Sequence, residues 1–577
     1  MKLFKQLIAL LMMLNMGSSA AFVTLGVGAD CDHTGLFAAY LDNDPFVRVT
    51  SQAVYSEVFT ISKTKWFTGG YDNCTDARNN VHGLNKSSWT DNINSNSTVV
   101  SINSNAATVA IVVIENFDIF GGEDINPGGV GGIKATGNVS VVLNNSAVRN
   151  SLGQSGGGLF VSGSQAQVTL NNSVISNNTS RSNGGGIFCD QQATVNILGS
   201  SSIYRNIAQG NGGGVFANNG CQINNESGDT DSITAMSAGI VRNSAYRGGG
   251  VYLSLGSGMS LSGNELHPAS ILGNYAQDGG PSNAIGGGIF LTDEMTSLTA
   301  INARIERNES GYFGGGIFIT NNAIANIGRL DASCWDNAKC SSLSSNFSNI
   351  NGVGGLGYVS NSATLNISQS LIANNIGSNS ALFLLASGAR LKLEGNLITG
   401  NSGIAQPANH LFNTSSVVGG STIDFLYNTL SDNSMFSIFN LNTDSMDSIQ
   451  TLNVNNSIVY EAIDIISITG GFNPNVNVDC VFVNEINSLV GNINNTSTDN
   501  PLFVDPINGD YSLSESSTAI DYCDEFLVQS QSPDLNGNAR GFDVQLINDN
   551  LGPYDAGAYE YSSQIIRESI FKSGFEQ

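Results

Sequence analysis

Charge is what this chain has least of. Only 12% of its 577 residues are Asp, Glu, Lys or Arg, about half the usual share of roughly 25%. The 22 basic residues are outnumbered by 47 acidic ones, for a formal net charge of −25. A chain this acidic offers no basic face for nucleic acid. Proline is scarce, at 10 residues, while Gly reaches 67 and Asn 72. Gly and Asn are poor in helix interiors, which excludes a helical bundle and a doubly wound nucleotide-binding fold. Disorder needs low hydrophobicity and high charge density, and 41% of these residues are hydrophobic. No CxxC pair or paired Cys/His spacing is present for structural zinc.

Long apolar runs are also missing. The one apolar stretch, Leu7 to Met16, follows two lysines and precedes Gly17, Ser18, Ser19, Ala20 and Ala21. A charged start, a short apolar core and small residues make a secretory signal peptide, assigned to residues 1–29. Cleavage after Ala20 or Ala21 fits, with Ala29 as a second option. The stretch is too short to span a bilayer, and no later segment reads as transmembrane. The mature protein is expected to be secreted or held at the outer cell surface. All eight cysteines lie beyond the leader: Cys31, Cys74, Cys189, Cys221, Cys334, Cys340, Cys480 and Cys523. An even number in an exported chain predicts disulfides. Pairing of nearest neighbours along the chain is the simplest of the many connectivities.

The abundant residues are not scattered. A triple glycine followed by an aliphatic and then an aromatic residue occurs six times, beginning at Gly156, Gly184, Gly212, Gly248, Gly286 and Gly314. The aromatic positions are Phe160, Phe188, Phe216, Tyr252, Phe290 and Phe318. A second element places an apolar residue three positions before an asparagine, from Ile175…Asn178 through Ile305…Asn308 to Leu430…Asn433. Short alternating runs such as Val195-Asn-Ile197 form a third. Each repeat therefore holds two or three short strands between Gly/Asn/Ser turns. One such unit cannot bury its apolar face alone, but stacked units can. The expected fold is all-β, a right-handed parallel β-helix of roughly twelve coils. Its aliphatic residues stack inside, its asparagines form amide ladders along the axis, and its glycines turn corners. Pro281–Ile285 and Gly228–Thr234 read as loops protruding from single coils. A propeller blade, at about 40–45 residues, is too long for this repeat.

The flanks lack the repeat. Residues 30–100 read as an N-terminal cap and lead-in strands, 101–480 as the helix, 481–561 as a C-terminal cap and 562–577 as a tail. The repeat resembles that of secreted bacterial right-handed parallel β-helix proteins with polymorphic outer-membrane-protein repeats. Asn500-Pro-Leu-Phe-Val-Asp-Pro506, Gly509-Asp-Tyr511, Ala519-Ile-Asp521, Asp534 to Arg540 and Asp555 to Glu560 are similar to a choice-of-anchor terminal segment. The resemblance implies fold and export, not an activity.

Chemistry is hard to find. Asn442-Thr-Asp444 matches one pectin-hydrolase motif, without the Asp-Asp, Gly-His-Gly or Arg-Ile-Lys that would complete it; it reads as a turn. His33, His82, His267 and His410 fall at unrelated repeat positions, where surface or loop roles are expected. Arginine precedes the repeat asparagine at Arg149, Arg205, Arg242 and Arg307, and equivalent positions should stack on one face. If stacked on one edge, they would either keep that edge soluble or form a cationic track for an anionic polysaccharide. Asp534 and Asn536, in an Asp-x-Asn-Gly turn, are the candidates for calcium, although an Asx turn needs no metal. The functional expectation is a non-catalytic surface β-helix for adhesion or glycan binding, with an anionic polysaccharide or envelope component as partner and no resident cofactor. The alternative is a polysaccharide lyase or glycoside hydrolase working in a groove along the helix.

Overall fold

The computed structural model describes residues 21–561, except 92–95, 229–236, 264–266, 278–283, 330–340, 350–351, 379, 405–409, 416–418, 462, 487–488, 525–531 and 545–549. Most of the two loops expected at 228–234 and 281–285 lies outside the described residues.

The chain is a right-handed parallel β-helix. One coil shows how the repeat builds it. Ile187–Asp190, Thr194–Leu198, Ser202–Tyr204 and Ile207–Ala208 are its four strands. Each pairs in parallel with its counterpart one coil on: Val215–Ala217, Gln222–Asn225, Gly239–Val241 and Ser244–Ala245. The two middle rows bend into one 30-stranded sheet; the others form sheets of 14 and 10 strands. The fourth strand exceeds the two or three that the repeat predicts. It is only two residues long, too short for alternation to reveal.

Alternation sets the core. Ile187, Cys189, Val195, Ile197 and Ile203 point inward and are fully buried, as are their neighbours above and below. The triple glycine makes the tightest corner. Gly184 has φ +69°, a left-handed backbone that glycine adopts without penalty. Gly185 and Gly186 have no room for a side chain: a Cβ would stand 2.6 Å from the carbonyl oxygens of Gly213 and Gly214.

The asparagine ladder runs as expected. Asn178 donates its backbone N–H and its Nδ2 to Oδ1 of Asn206, at 3.0 Å each. The same pattern continues through Asn243, Asn274, Asn308, Asn346, Asn375 and Asn401 to Asn433. Each Nδ2 also reaches back to a carbonyl, as from Asn308 to Ile271. The ladder needs an acceptor at its end. Glu461 supplies it, taking both donors of Asn433 on Oε1 at 2.8 Å. Burial pushes this carboxyl up to about 7.

Parallel pairing extends beyond the repeat, from Phe22–Leu25 to Asn492–Ser497. Two six-residue helices, Leu36–Leu41 and Cys74–Asn79, close the first coils. The edge of Phe22–Leu25 is covered by Asp32, whose carboxylate accepts from the backbone and hydroxyl of Thr24, and by His33, bridged to Leu25. Such covering blunts an edge that would otherwise template aggregation. Three disulfides follow the nearest-neighbour pairing: Cys31–Cys74, Cys189–Cys221 and Cys480–Cys523. Cys334 and Cys340 lie outside the described residues.

Candidate binding surface

The four arginines do not form one column. Arg205 and Arg242 are neighbours on successive coils, each in a left-handed turn, with Arg205 N–H donating to the Val241 carbonyl. Gly273 takes the next place and Arg307 the one after. Elsewhere Asn177, Asn374, Gly400 and Asp432 fill this turn, the residue types that tolerate φ > 0. All three arginines are exposed, and Arg205 lies over the Tyr204 ring. Arg149 sits one position earlier. It pairs in register with Phe120 and Ser176, and its guanidinium forks onto Asp118. The expected equivalence of Arg149 with the others is therefore corrected. Asn150, the residue after it, is not a ladder asparagine; Ser151 holds that place, donating to Asn178.

The C-terminal segment brings its scattered motif residues together. It lies against the outer side of the late coils: Tyr511 hydroxyl bonds Thr399 and Asp432, Ala558 N–H bonds Thr429, and Arg540 covers the Tyr427 ring at 4.3 Å. Asp521, Asp534, Asp555 and Glu560 are buried beneath it. The Asp534 carboxylate accepts from Asn538 N–H, Asn538 Nδ2 and Glu560 N–H, an Asx-type turn, and Asn536 stands exposed at its tip. Glu560 accepts from Gly541 and Phe542; burial lifts it to about 7 against the pull of Arg540. Asp555, buried beside Glu560, is raised as well. Among the described residues, no group of three or more His, Cys, Asp or Glu is placed to hold a metal ion.

Other candidates are structural. Asn442 Oδ1 accepts from Asp444 N–H in a turn. His33 contacts Asp42 and His82 stacks on Tyr71. His410 departs from its expected surface or loop role: it is buried in the strand His410–Thr414, bonded to Ser437. It alternates with Phe412 and Thr414, the other buried residues on its side of that strand. A hollow of about 360 Å³ between Asp432 and the 506–511 stretch is lined by Asp432, Pro506, Ile507 and Tyr511, and the Asp432 carboxylate there is engaged by Tyr511.

Two outward rows remain. On the 14-stranded sheet, Phe160, Phe188, Phe216, Tyr252, Phe290, Phe318 and Tyr358 are in register. Their rings stack along the axis, with centroids 4.8 Å apart and planes 4° from parallel at Tyr252–Phe290 and Phe290–Phe318. Ring faces are thus used on one another, and only edges meet solvent. Lys134, over Phe160, covers the first face. A sugar stacks on a ring face, so this row is a buttress, not a platform. On the long sheet, Thr169, Asn196, Asn224, Ser260, Thr299, Asn326 and Asn366 stand in register on seven successive coils. They are half-buried or exposed. In the sequence this row shows only as the polar half of the alternating runs.

Compared with known protein families and with curated proteins, the chain matches none. Among the described residues, no helix is long and apolar enough to cross a membrane.

Proposed function

We propose that the protein is an exported, non-catalytic β-helix that holds a polysaccharide or similar repeating polymer at or outside the cell surface. One observation supports this most: outward side chains of successive coils stand in register, so the surface repeats its hydrogen-bonding groups at the coil spacing. A polymer meets the same chemistry at each step, and weak contacts in series add up to avidity. Three disulfides fit an extracellular protein. The leader reading fits best with cleavage after Ala20 or Ala21. Cleavage after Ala29 would remove Phe22–Leu25, whose Val23 and Leu25 belong to the core. The choice-of-anchor-like segment, docked on the late coils, would face the envelope.

A glycan array run beside a polysaccharide-degradation screen, with and without calcium, tests the function. Retention of polymer without release of unsaturated or reducing ends is expected. Release of such ends would instead establish a lyase or hydrolase. Retention lost on chelation would assign calcium a role in binding. Mass measurement of the exported chain checks the cleavage site.

A further inference from the structure

Resting on the glycan-binding reading, we infer that the ligand is a neutral polysaccharide, lying along the helix axis on the long-sheet face between Thr169 and Asn366. The first argument is charge. The row from Thr169 to Asn366 contains no ionised side chain, and neither does the adjacent row, which runs in register from Gln167 through Thr194, Gln222 and Ser297 to Thr364. Charge returns on the next coil with Arg390 and Lys392. The row on the other side, from Asn171 through Leu198 to Ser262 and Ile301, adds the exposed Glu226 but no cation. A face without a cation has nothing to neutralise the carboxylates of a uronate polymer, whose desolvation would go uncompensated.

The second argument is preorganisation. Asn224 Nδ2 donates to Asn196 Oδ1 at 2.9 Å, and Asn366 Nδ2 to Asn326 Oδ1 at 2.8 Å. Asn196 Nδ2 reaches Thr169 Oγ1 at 3.3 Å. These bonds hold each amide in one orientation and leave its second N–H and a carbonyl lone pair for a ligand. Little side-chain freedom is then lost on binding. The third argument is spacing. Coils repeat every ~4.8 Å and alternate residues every ~6.6 Å, so the seven coils offer a grid ~29 Å long. No aromatic face lies in it, so affinity comes from hydrogen bonds in series and rises with polymer length.

The test is retention of the whole protein on insoluble β-1,4-glucan and chitin, against immobilised polygalacturonate. Thr299→Lys with Asn326→Lys places two charges at exposed positions. It is expected to weaken retention on the neutral polymers about tenfold, equal to about 1.4 kcal/mol, with an unchanged melting curve. Arg205→Ala with Arg242→Ala leaves that retention intact. Full retention by the lysine variant overturns the assigned face. Retention on polygalacturonate alone, lost with the arginine pair, overturns this inference while keeping the proposed function. Retention on none of these polymers, or ice shaping without it, overturns both.

Discussion

A buried asparagine ladder and an outward row of Thr, Asn and Ser run along this molecule at the same coil spacing, and they differ in what surrounds them. In the inner ladder, Asn178 to Asn433, both amide hydrogens and the carbonyl are bonded within the protein, and most of its members are fully buried. In the outer row, the amides of Asn196, Asn224, Asn326 and Asn366 bond one another but keep a half-open side. Identical chemistry therefore does opposite work. An unmet amide inside costs the full desolvation of a polar group; an unmet amide outside is met by water, and is free to meet a ligand.

The sharpest way to break that comparison is Asn308→Ala. It strands both donors of Asn274 and the Ile271 carbonyl in the core, and is expected to cost about 4 kcal/mol in denaturant unfolding. Next is Phe290→Ala in the outward aromatic row. That ring is only 4% exposed and stacks on two partners, so a loss of about 3 kcal/mol is expected. An outward row can thus rank with the core if it is self-covering.

Glu461 sharpens the contrast at the ladder's end. Its carboxyl is held at about 7, above the usual 4.5, by burial. A raised carboxyl stays protonated in the folded chain after the unfolded chain has ionised. Stability therefore falls as pH rises from about 4.5 to 7 and levels off above it, by up to about 3 kcal/mol. Glu461→Gln keeps an acceptor oxygen for Asn433, and should reduce that slope in urea midpoints taken between pH 4 and 8, leaving the part owed to Glu560 and Asp555. The smallest effect belongs to Asn326→Ala in the outer row. It should move stability by no more than about 0.5 kcal/mol while reducing polysaccharide retention. A large destabilisation there would erase the distinction between the rows.

Much of this architecture is legible along the chain because its causes are local. A left-handed corner selects glycine at 184, and the spacing Ile203…Asn206 puts the aliphatic and the amide in fixed places of a coil. The ladder and the parallel stacking follow from such periodicity, whereas the disulfide partners of Cys31, Cys189 and Cys480 are simply the nearest cysteines along the chain. Direction was less legible. The aromatic after each triple glycine is plain, yet nothing in its spacing says that its rings pack on each other and hide their faces. Arg149 misleads for a related reason. It precedes an asparagine just as Arg205 does, but it stands one position earlier in an in-register coil, and Asp118 on the coil below claims its guanidinium. The short helices of the first coils carry too few residues for periodicity, although Asn73 and Asp76 mark one start.

By itself, then, the sequence determined the class of fold, the coil repeat and the buried ladder, since each rests on spacing that recurs along the chain; for the disulfides it offered only the simplest pairing. Only the tertiary structure decided which rows face outward, which are covered and which charges are already spent. It also gathered Asp521, Asp534, Arg540, Asp555 and Glu560 into one buried cluster on the late coils. Those outcomes depend on contacts between coils and between distant segments, and the energy of a polar group is set by whether a partner or water stands beside it.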